Sequence, residues 1–318
     1  MDSVYIEITN VCNLRCSFCP SSDCRYEACS GSSQGTQVTD ACAPNTRGPR
    51  EFMASALFEK CIADAQEIGA KNVFFHVLGE PTLHPGFAHY VKKLESTPLK
   101  LTLTTNGTTI ARAAHHILNS PAVRQVNFST HAYAELPLSD ARGHLENVLD
   151  FCRMALAARP DMYINLRLWN IGDSESGNWN KLMLVRVNET FGTQVAPGNF
   201  CSRHKSFPIA GRLYLHEDSR FEWPKLDEST GNALQTKDER GIAGTCHALD
   251  THVAILHDGR VVACCLDYSG QITLGNIANQ NLAEILGSPL ARKLREGFEK
   301  HELRHPFCQG CSYCKRFK

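Results

Sequence analysis

Three thiols stand close together near the N-terminus, in Cys12-Asn13-Leu14-Arg15-Cys16-Ser17-Phe18-Cys19. Spaced CxxxCxxC, they can wrap one face of a cuboidal iron–sulfur cluster. A 4Fe–4S cluster has four irons, so three cysteines leave one iron open to another ligand. Clusters that only carry electrons ordinarily take four protein ligands, so an open iron points to chemistry at the metal. The competing chemistry is zinc, whose sites usually pair a CxxC with a distant second pair.

A second set of thiols lies at the other end. The chain has 15 cysteines in 318 residues. Cys12, Cys16, Cys19, Cys24, Cys29 and Cys42 come early, and Cys246, Cys264, Cys265, Cys308, Cys311 and Cys314 come late. Only Cys61, Cys152 and Cys201 lie between them. In a reducing compartment metal binding is a better default than a disulfide framework, so two thiol sets predict two metal centres.

The elements that must position these thiols follow from pattern. Hydrophobic residues at 42% and charged residues at 21% predict a packed core. Lys+Arg and Asp+Glu are both 33, and this balance argues against nonspecific attraction to nucleic acid or an anionic membrane. No run approaches the roughly 20 apolar residues of a membrane span, and no signal peptide precedes Cys12, so a cytoplasmic protein is expected. Residues 4–9, 72–77, 100–104, 123–130 and 162–169 read as strands, and 54–69, 85–95, 109–118, 138–158 and 176–191 as helices. A sixth strand is expected within 194–215. Such alternation means parallel β/α units, too few for a closed eight-stranded barrel. The polar stretch 21–50 is too long for an ordinary connection and receives no ligand assignment.

Barrels of this kind keep their chemistry at the C-terminal ends of the strands. The first strand runs into the Cys12 loop, the second into Gly79-Glu80-Pro81, the third into Asn106-Gly107, and the fourth into Ser129. Arg167 alternates with apolar neighbours on the fifth strand, so it should point into the lumen.

The CxxxCxxC spacing, with Phe18 just before the last thiol, and Gly79-Glu80-Pro81 after the second strand resemble the radical S-adenosylmethionine (radical SAM) superfamily. The resemblance implies an α/β fold built on a partial (β/α)6 TIM-like barrel. It implies a 4Fe–4S cluster on Cys12, Cys16 and Cys19, with SAM chelating the open iron. It implies that Gly79-Glu80 meets the amino group of SAM, although Leu78 stands where the family has a first glycine. Asn106 and Ser129 would lie near its ribose or methionine, Arg167 near its carboxylate, and Phe18 near its adenine. Reductive cleavage of SAM would give a 5′-deoxyadenosyl radical that abstracts hydrogen from a substrate.

The late segment resembles the SPASM or Twitch auxiliary-cluster domain: Cys246, then Gly259 with four residues before Cys264, then Cys308-x-x-Cys311. Cys264 and Cys265 point to opposite faces of an expected strand, so one of them ligates. Cys246, Cys264, Cys308 and Cys311 are the expected ligands, with Cys265 and Cys314 as alternates. The thiols suffice for one auxiliary 4Fe–4S cluster, and four thiolates suit tetrahedral zinc equally well. The expected organisation is a barrel over 1–210, a hairpin and connector over 211–245, and a small α+β auxiliary domain over 246–318. Hairpin strands are expected at 252–256 and 260–264, and a helix over 281–298. The implied function is a net oxidation assisted by the second cluster, with a flavodoxin or ferredoxin as reductant. Asp250, Asp267 and Glu217 are candidate bases by proximity in sequence. The alternatives are a peptide- or protein-modifying maturase and a non-catalytic iron–sulfur or zinc scaffold.

Overall fold

The computed structural model describes residues 1–20, 51–173, 176–195, 205–224, 226 and 243–317. The insertion over 21–50, with Cys24, Cys29 and Cys42, lies outside the described residues, as does Cys201.

Strand β1 (Ser3–Ile6) leads toward the first cysteine loop. There follow α1 (Ser55–Glu67), β2 (Asn72–Phe75), α2 (Phe87–Leu94), β3 (Lys100–Thr105), α3 (Ile110–Asn119), β4 (Val123–Phe128), α4 (Leu138–Ala158), β5 (Tyr163–Leu168) and α5 (Gly177–Phe191). The next two strands, β6 (Ser206–Ala210) and β7 (Leu213–Glu217), form an antiparallel hairpin. Strands β1, β2, β3, β4, β5 and β7 are parallel neighbours in that order, which is the expected partial barrel. Val4, Val73, Leu101, Val126 and Ile164 are almost wholly buried in the apolar core, as strands covered on their outer face require. The opposite face lines the lumen, where Asn127 Oδ1 accepts from Gln125 and Asn165 at 2.8 Å each.

The sixth parallel strand departs from expectation. It is β7, and its hairpin partner precedes it, so the pair spans 206–217 and begins before the hairpin expected from residue 211. Gly211, at φ +51°, supplies the left-handed turn. The expected boundary at residue 210 therefore falls within one hairpin.

Strands β8 (His252–Ile255), β9 (Arg260–Val262) and β10 (Thr273–Asn276) form an antiparallel meander, as the Asp258-Gly259 turn predicts. It does not stand apart from the barrel. Strand β8 lies parallel to β1, from Ser3↔His252 to Ile6↔Ile255, so all ten strands share one sheet. The expected helix over 281–298 is two, α6 (Leu282–Leu286) and α7 (Pro289–Glu299), before the short α8 (Pro306–Gln309). Gly287 ends the first. Ser288 caps the second by accepting from Ala291 N at 3.2 Å, with Pro289 in its first turn. Among the described residues no helix is long and apolar enough to cross a membrane.

Candidate active site between two sets of thiols

One cavity of about 750 Å³ opens at the C-terminal ends of the barrel strands, within the size range of small-molecule sites. It is lined both by Cys12, Cys16 and Cys19 and by the late thiols, which the chain order separates by more than two hundred residues.

Three strand ends hold the first loop. Glu80 N donates to Val11 O at 2.7 Å, tying the end of β2 to the residue before Cys12. Gly79 lies at φ +74°, and a Cβ there would fall 2.2 Å from Thr9 O, so only glycine permits this approach. From beyond β3, Asn106 Nδ2 donates to Asn13 Oδ1 at 3.0 Å and approaches Cys12 Sγ at 3.7 Å. From the turn after β4, Glu135 accepts from Ser17 N at 2.6 Å and Ser17 Oγ at 2.8 Å. Within the loop Leu14 N points at Cys12 Sγ at 3.4 Å, and Cys19 N donates to Cys16 O at 2.9 Å.

Burial pushes the Cys12 thiol up to about 11 and the Cys16 thiol higher still, each helped by the negative charge of a neighbouring loop thiol. As free thiols they stay protonated, while a bound iron would displace the protons and use the thiolates.

The predicted residues separate into roles. Glu80 is 1% exposed, and its carboxylate already accepts from Thr82 N, Thr82 Oγ1, Thr105 Oγ1 and Asn106 N, at 2.6–3.0 Å. Burial raises its pKa, with those four bonds opposing. It therefore organises the second and third strand ends, and the ligand-facing groups of this segment are chiefly backbone. Asn106 is directed at the Cys12 loop. Its Oδ1 is taken by Thr108 N and Thr108 Oγ1 at 2.9 and 2.7 Å. Ser129 lines the cavity, and its N–H donates to Thr105 O at 2.9 Å. Phe18 lines it too, with one face under the Arg220 guanidinium at 4.5 Å and its ring 5.4 Å from that of His131. Arg167 reaches the lumen as its alternation predicts and stacks on Trp169 at 4.5 Å.

The late thiols form the opposite wall. Cys246, Cys264, Cys308 and Cys311 all line the cavity, together with Cys265 and Cys314. Cys264 and Cys308 are each held well above the usual thiol range by burial, with the charge of Cys246 adding to it. Ala248 N points at Cys246 Sγ at 3.4 Å, repeating the Leu14–Cys12 contact of the first loop. Cys314 donates to Cys311 O at 2.9 Å, and its S–H lowers Cys311 to about 7. Cys265 meets the Tyr5 hydroxyl of β1, and because β9 ends at Val262 strand alternation does not separate it from Cys264 as expected. Among the described residues no three Cys, His, Asp or Glu side chains converge closely enough to hold a single metal ion. Thiolates around a cuboidal cluster stand farther apart than those around tetrahedral zinc, so the donor set fits clusters better.

None of the three carboxylates proposed as bases lines the cavity. Asp250 is exposed. Asp267 is fully buried and accepts from Gln271 N and Ile272 N at 2.7 Å each. Glu217 points out of the lumen with Leu213 and Leu215, because all three occupy alternate positions of β7. Sequence reasoning passed over Tyr5, His76, His131 and Tyr313, which do line the cavity. For Tyr5 the signal was present, since it alternates with the buried Val4 and Ile6.

Comparison with known proteins places this geometry. The described fold resembles several solved structures at low identity. For native anSMEcpe with bound AdoMet the TM-score is 0.56 at 13% identity, over 99% of this chain and 89% of that one. For Streptococcus suis SuiB bound to precursor peptide SuiA it is 0.53 at 13%, over 92% and 66%. For BtrN in complex with AdoMet and 2-DOIA it is 0.50 at 14%, over 98% and 94%. A curated protein of Pyrococcus furiosus, the tungsten-containing aldehyde ferredoxin oxidoreductase cofactor-modifying protein, is 31% identical over 109 residues. That match spans 34% of this chain and only 24% of the relative. Residues 246–315 match the SPASM iron–sulfur cluster-binding domain, and residues 6–172 match the Radical SAM superfamily. The first cysteine loop and the strand ends that hold it lie within the second match, so the chain belongs to the radical SAM superfamily and carries a SPASM domain, with the 4Fe–4S clusters and SAM that these domains bind.

Proposed function

We propose that this protein is a radical SAM oxidoreductase acting on a substrate held between its two sets of thiols. The observation that carries the reading is the single cavity, which places Cys12, Cys16 and Cys19 opposite Cys246, Cys264, Cys308 and Cys311. Cys12, Cys16 and Cys19 would hold a cluster that supplies electron transfer to SAM and so radical chemistry, and Cys246, Cys264, Cys308 and Cys311 would hold a second that supplies an electron acceptor for a net oxidation.

The chain's own residues position and enclose. Gly79 and Glu80 seat the end of β2 against Thr9–Val11, and Asn106 orients the Cys12 loop. Phe18 and Ser129 line the SAM side. The proton released in an oxidation needs an acceptor, and Glu80, the only carboxylate lining the cavity among the described residues, already binds protein donors. His131 offers one instead. Its Nδ1–H donates to Arg167 O at 3.2 Å, which leaves the lone pair on Nε2. Burial lowers its pKa to about 4, so the ring rests neutral, and the same burial and the nearby Arg167 and Arg220 charges oppose its protonation.

A peptide substrate is the second reading, favoured by the fold shared with SuiB bound to its precursor peptide and with anSMEcpe bound to peptide. Anaerobic reconstitution with iron, sulfide, SAM and dithionite tests the enzyme reading. Slow formation of 5′-deoxyadenosine is expected even without substrate, and its complete absence from a cluster-loaded protein would leave a non-catalytic scaffold.

A further inference from the structure

Among the described residues Arg167 meets no counterion. Its Nε is sealed from solvent and has no hydrogen-bond partner, and among the described residues the guanidinium enters no ion pair. What holds it is the face of Trp169 at 4.5 Å, and that indole is fixed by donating to His216 Nδ1 at 3.0 Å. The backbone is equally constrained, since Thr130 Oγ1 and His131 Nδ1 both donate to the Arg167 carbonyl, at 2.8 and 3.2 Å. Beside it His76 also has a buried Nδ1 with no partner. Burying a guanidinium that faces no anion is costly, so a fold that builds a rigid seat for one supplies the anion from outside.

The neighbours say which half of the cavity this is. The acids that act on Arg167 are the phenols of Tyr5 and Tyr313, and neither a carboxylate nor a thiol of the first loop is among them. Tyr5 is bonded to Cys265, and Tyr313 lies between Cys311 and Cys314. A carboxylate chelating an iron on Cys12, Cys16 and Cys19 would have to sit beside that loop. Arg167 faces the phenols that stand beside the auxiliary thiols.

We propose that Arg167, with His76 beside it, binds an anionic group of the substrate, a carboxylate or a phosphate, in the lumen between the two sets of thiols. The site rests on the radical SAM reading for calling its ligand the substrate, although the anion site itself does not require turnover. A planar guanidinium lining the cavity suits two-pronged recognition of either oxyanion. The group would fix the substrate's orientation, so that one C–H bond faces the SAM side.

The test uses cluster-loaded protein saturated with SAM, titrated calorimetrically with inorganic phosphate and, separately, with succinate; SAM affinity is measured by equilibrium dialysis. Wild type should bind at least one probe, and which one distinguishes phosphate from carboxylate. Arg167→Gln should weaken that probe tenfold or more while changing SAM affinity less than threefold. Arg167→Met should raise the Tm of the unliganded protein, because an uncompensated buried charge is removed. His76→Ala supplies the same comparison if Arg167→Gln does not fold. The proposal is overturned if neither probe binds wild type, or if both variants bind as wild type does. It is also overturned if Arg167→Gln weakens SAM itself tenfold, which would assign the guanidinium to the SAM carboxylate. If wild type binds a probe yet never forms 5′-deoxyadenosine, the enzyme reading fails and the anion site stands.

Discussion

Replacing Gly79 by alanine should damage the metal site more than it damages the fold. The residue lies at φ +74°, where an L side chain costs about 1–2 kcal/mol. Its new Cβ would fall 2.2 Å from Thr9 O, 2.9 Å from Thr9 C and 3.0 Å from Asn10 C. All three are backbone atoms just before the cysteine loop, so no side chain can rotate away. Either the end of β1 or the turn after β2 must move, and overpacking of this kind costs a further ~1–3 kcal/mol. For a chain of 318 residues, the total of roughly 2–5 kcal/mol corresponds to a Tm loss of about 3–8 °C. The movement also strains the Glu80–Val11 hydrogen bond of 2.7 Å, which sets where Cys12 begins. The internal control is Gly69, at the same φ of +74° but with nothing within 4 Å. Gly69→Ala carries only the conformational cost, and the change in unfolded-chain entropy is common to both variants. The assay is Tm of the unloaded protein together with iron and sulfide per chain after reconstitution. Gly79→Ala should lose iron from the first site, whereas Gly69→Ala should keep it. Equal Tm losses with full iron in both would refute the idea that this contact places the loop.

Asn106→Ala removes the N–H that approaches Cys12 Sγ at 3.7 Å. Losing about 1 kcal/mol of preferential stabilisation of the reduced state lowers the first cluster's midpoint potential by roughly 40 mV, readable by spectroscopic redox titration. An unchanged potential would mean that this amide serves only Asn13. The Cys308→Ala/Cys311→Ala double variant should lose the iron of one cluster and retain the other; loss of a single zinc would assign the late thiols to a ribbon. Burial raises Glu217 from its ordinary 4.5 to about 7. The folded state therefore holds the proton more tightly than the unfolded one. That stability is complete below about 4.5 and is lost as pH rises through about 7. Glu217→Gln should thus match wild type in Tm near pH 4 and exceed it at pH 8, and a constant difference across that range would contradict the assignment.

The parts of the site that were legible in the chain are those whose partners are close in sequence. Cys12, Cys16 and Cys19 share one short loop, so their spacing together with Phe18 and the later Gly79-Glu80-Pro81 carried the resemblance to a cluster-binding family. The β/α alternation was equally readable, because each strand and helix carries its own period, and so were the strand-end positions of Gly79, Asn106 and Ser129. Cys246, Cys264, Cys308 and Cys311 were singled out by their resemblance to the SPASM outline, and all four line the cavity together with Cys265 and Cys314.

What tertiary structure decided depends on pairings between distant residues. Only the parallel pairing of β1 with β8 turns the late segment from an appendage into the edge of the barrel sheet. It also brings His257 Nδ1 to Glu7 Oε2 at 2.8 Å across 250 positions. That Glu80 also binds Thr82, Thr105 and Asn106, and so ties two strand ends together, is visible only in the fold. Asp267 and Glu217 looked like bases until burial and strand parity turned them from the cavity. Arg167 was placed in the lumen by alternation alone, but the fact that no anion among the described residues meets it there is visible only when the neighbouring elements are in position. Local spacing specifies which atoms can bind a metal. Which charges remain unanswered is a property of the whole enclosure, and no short stretch of sequence contains it.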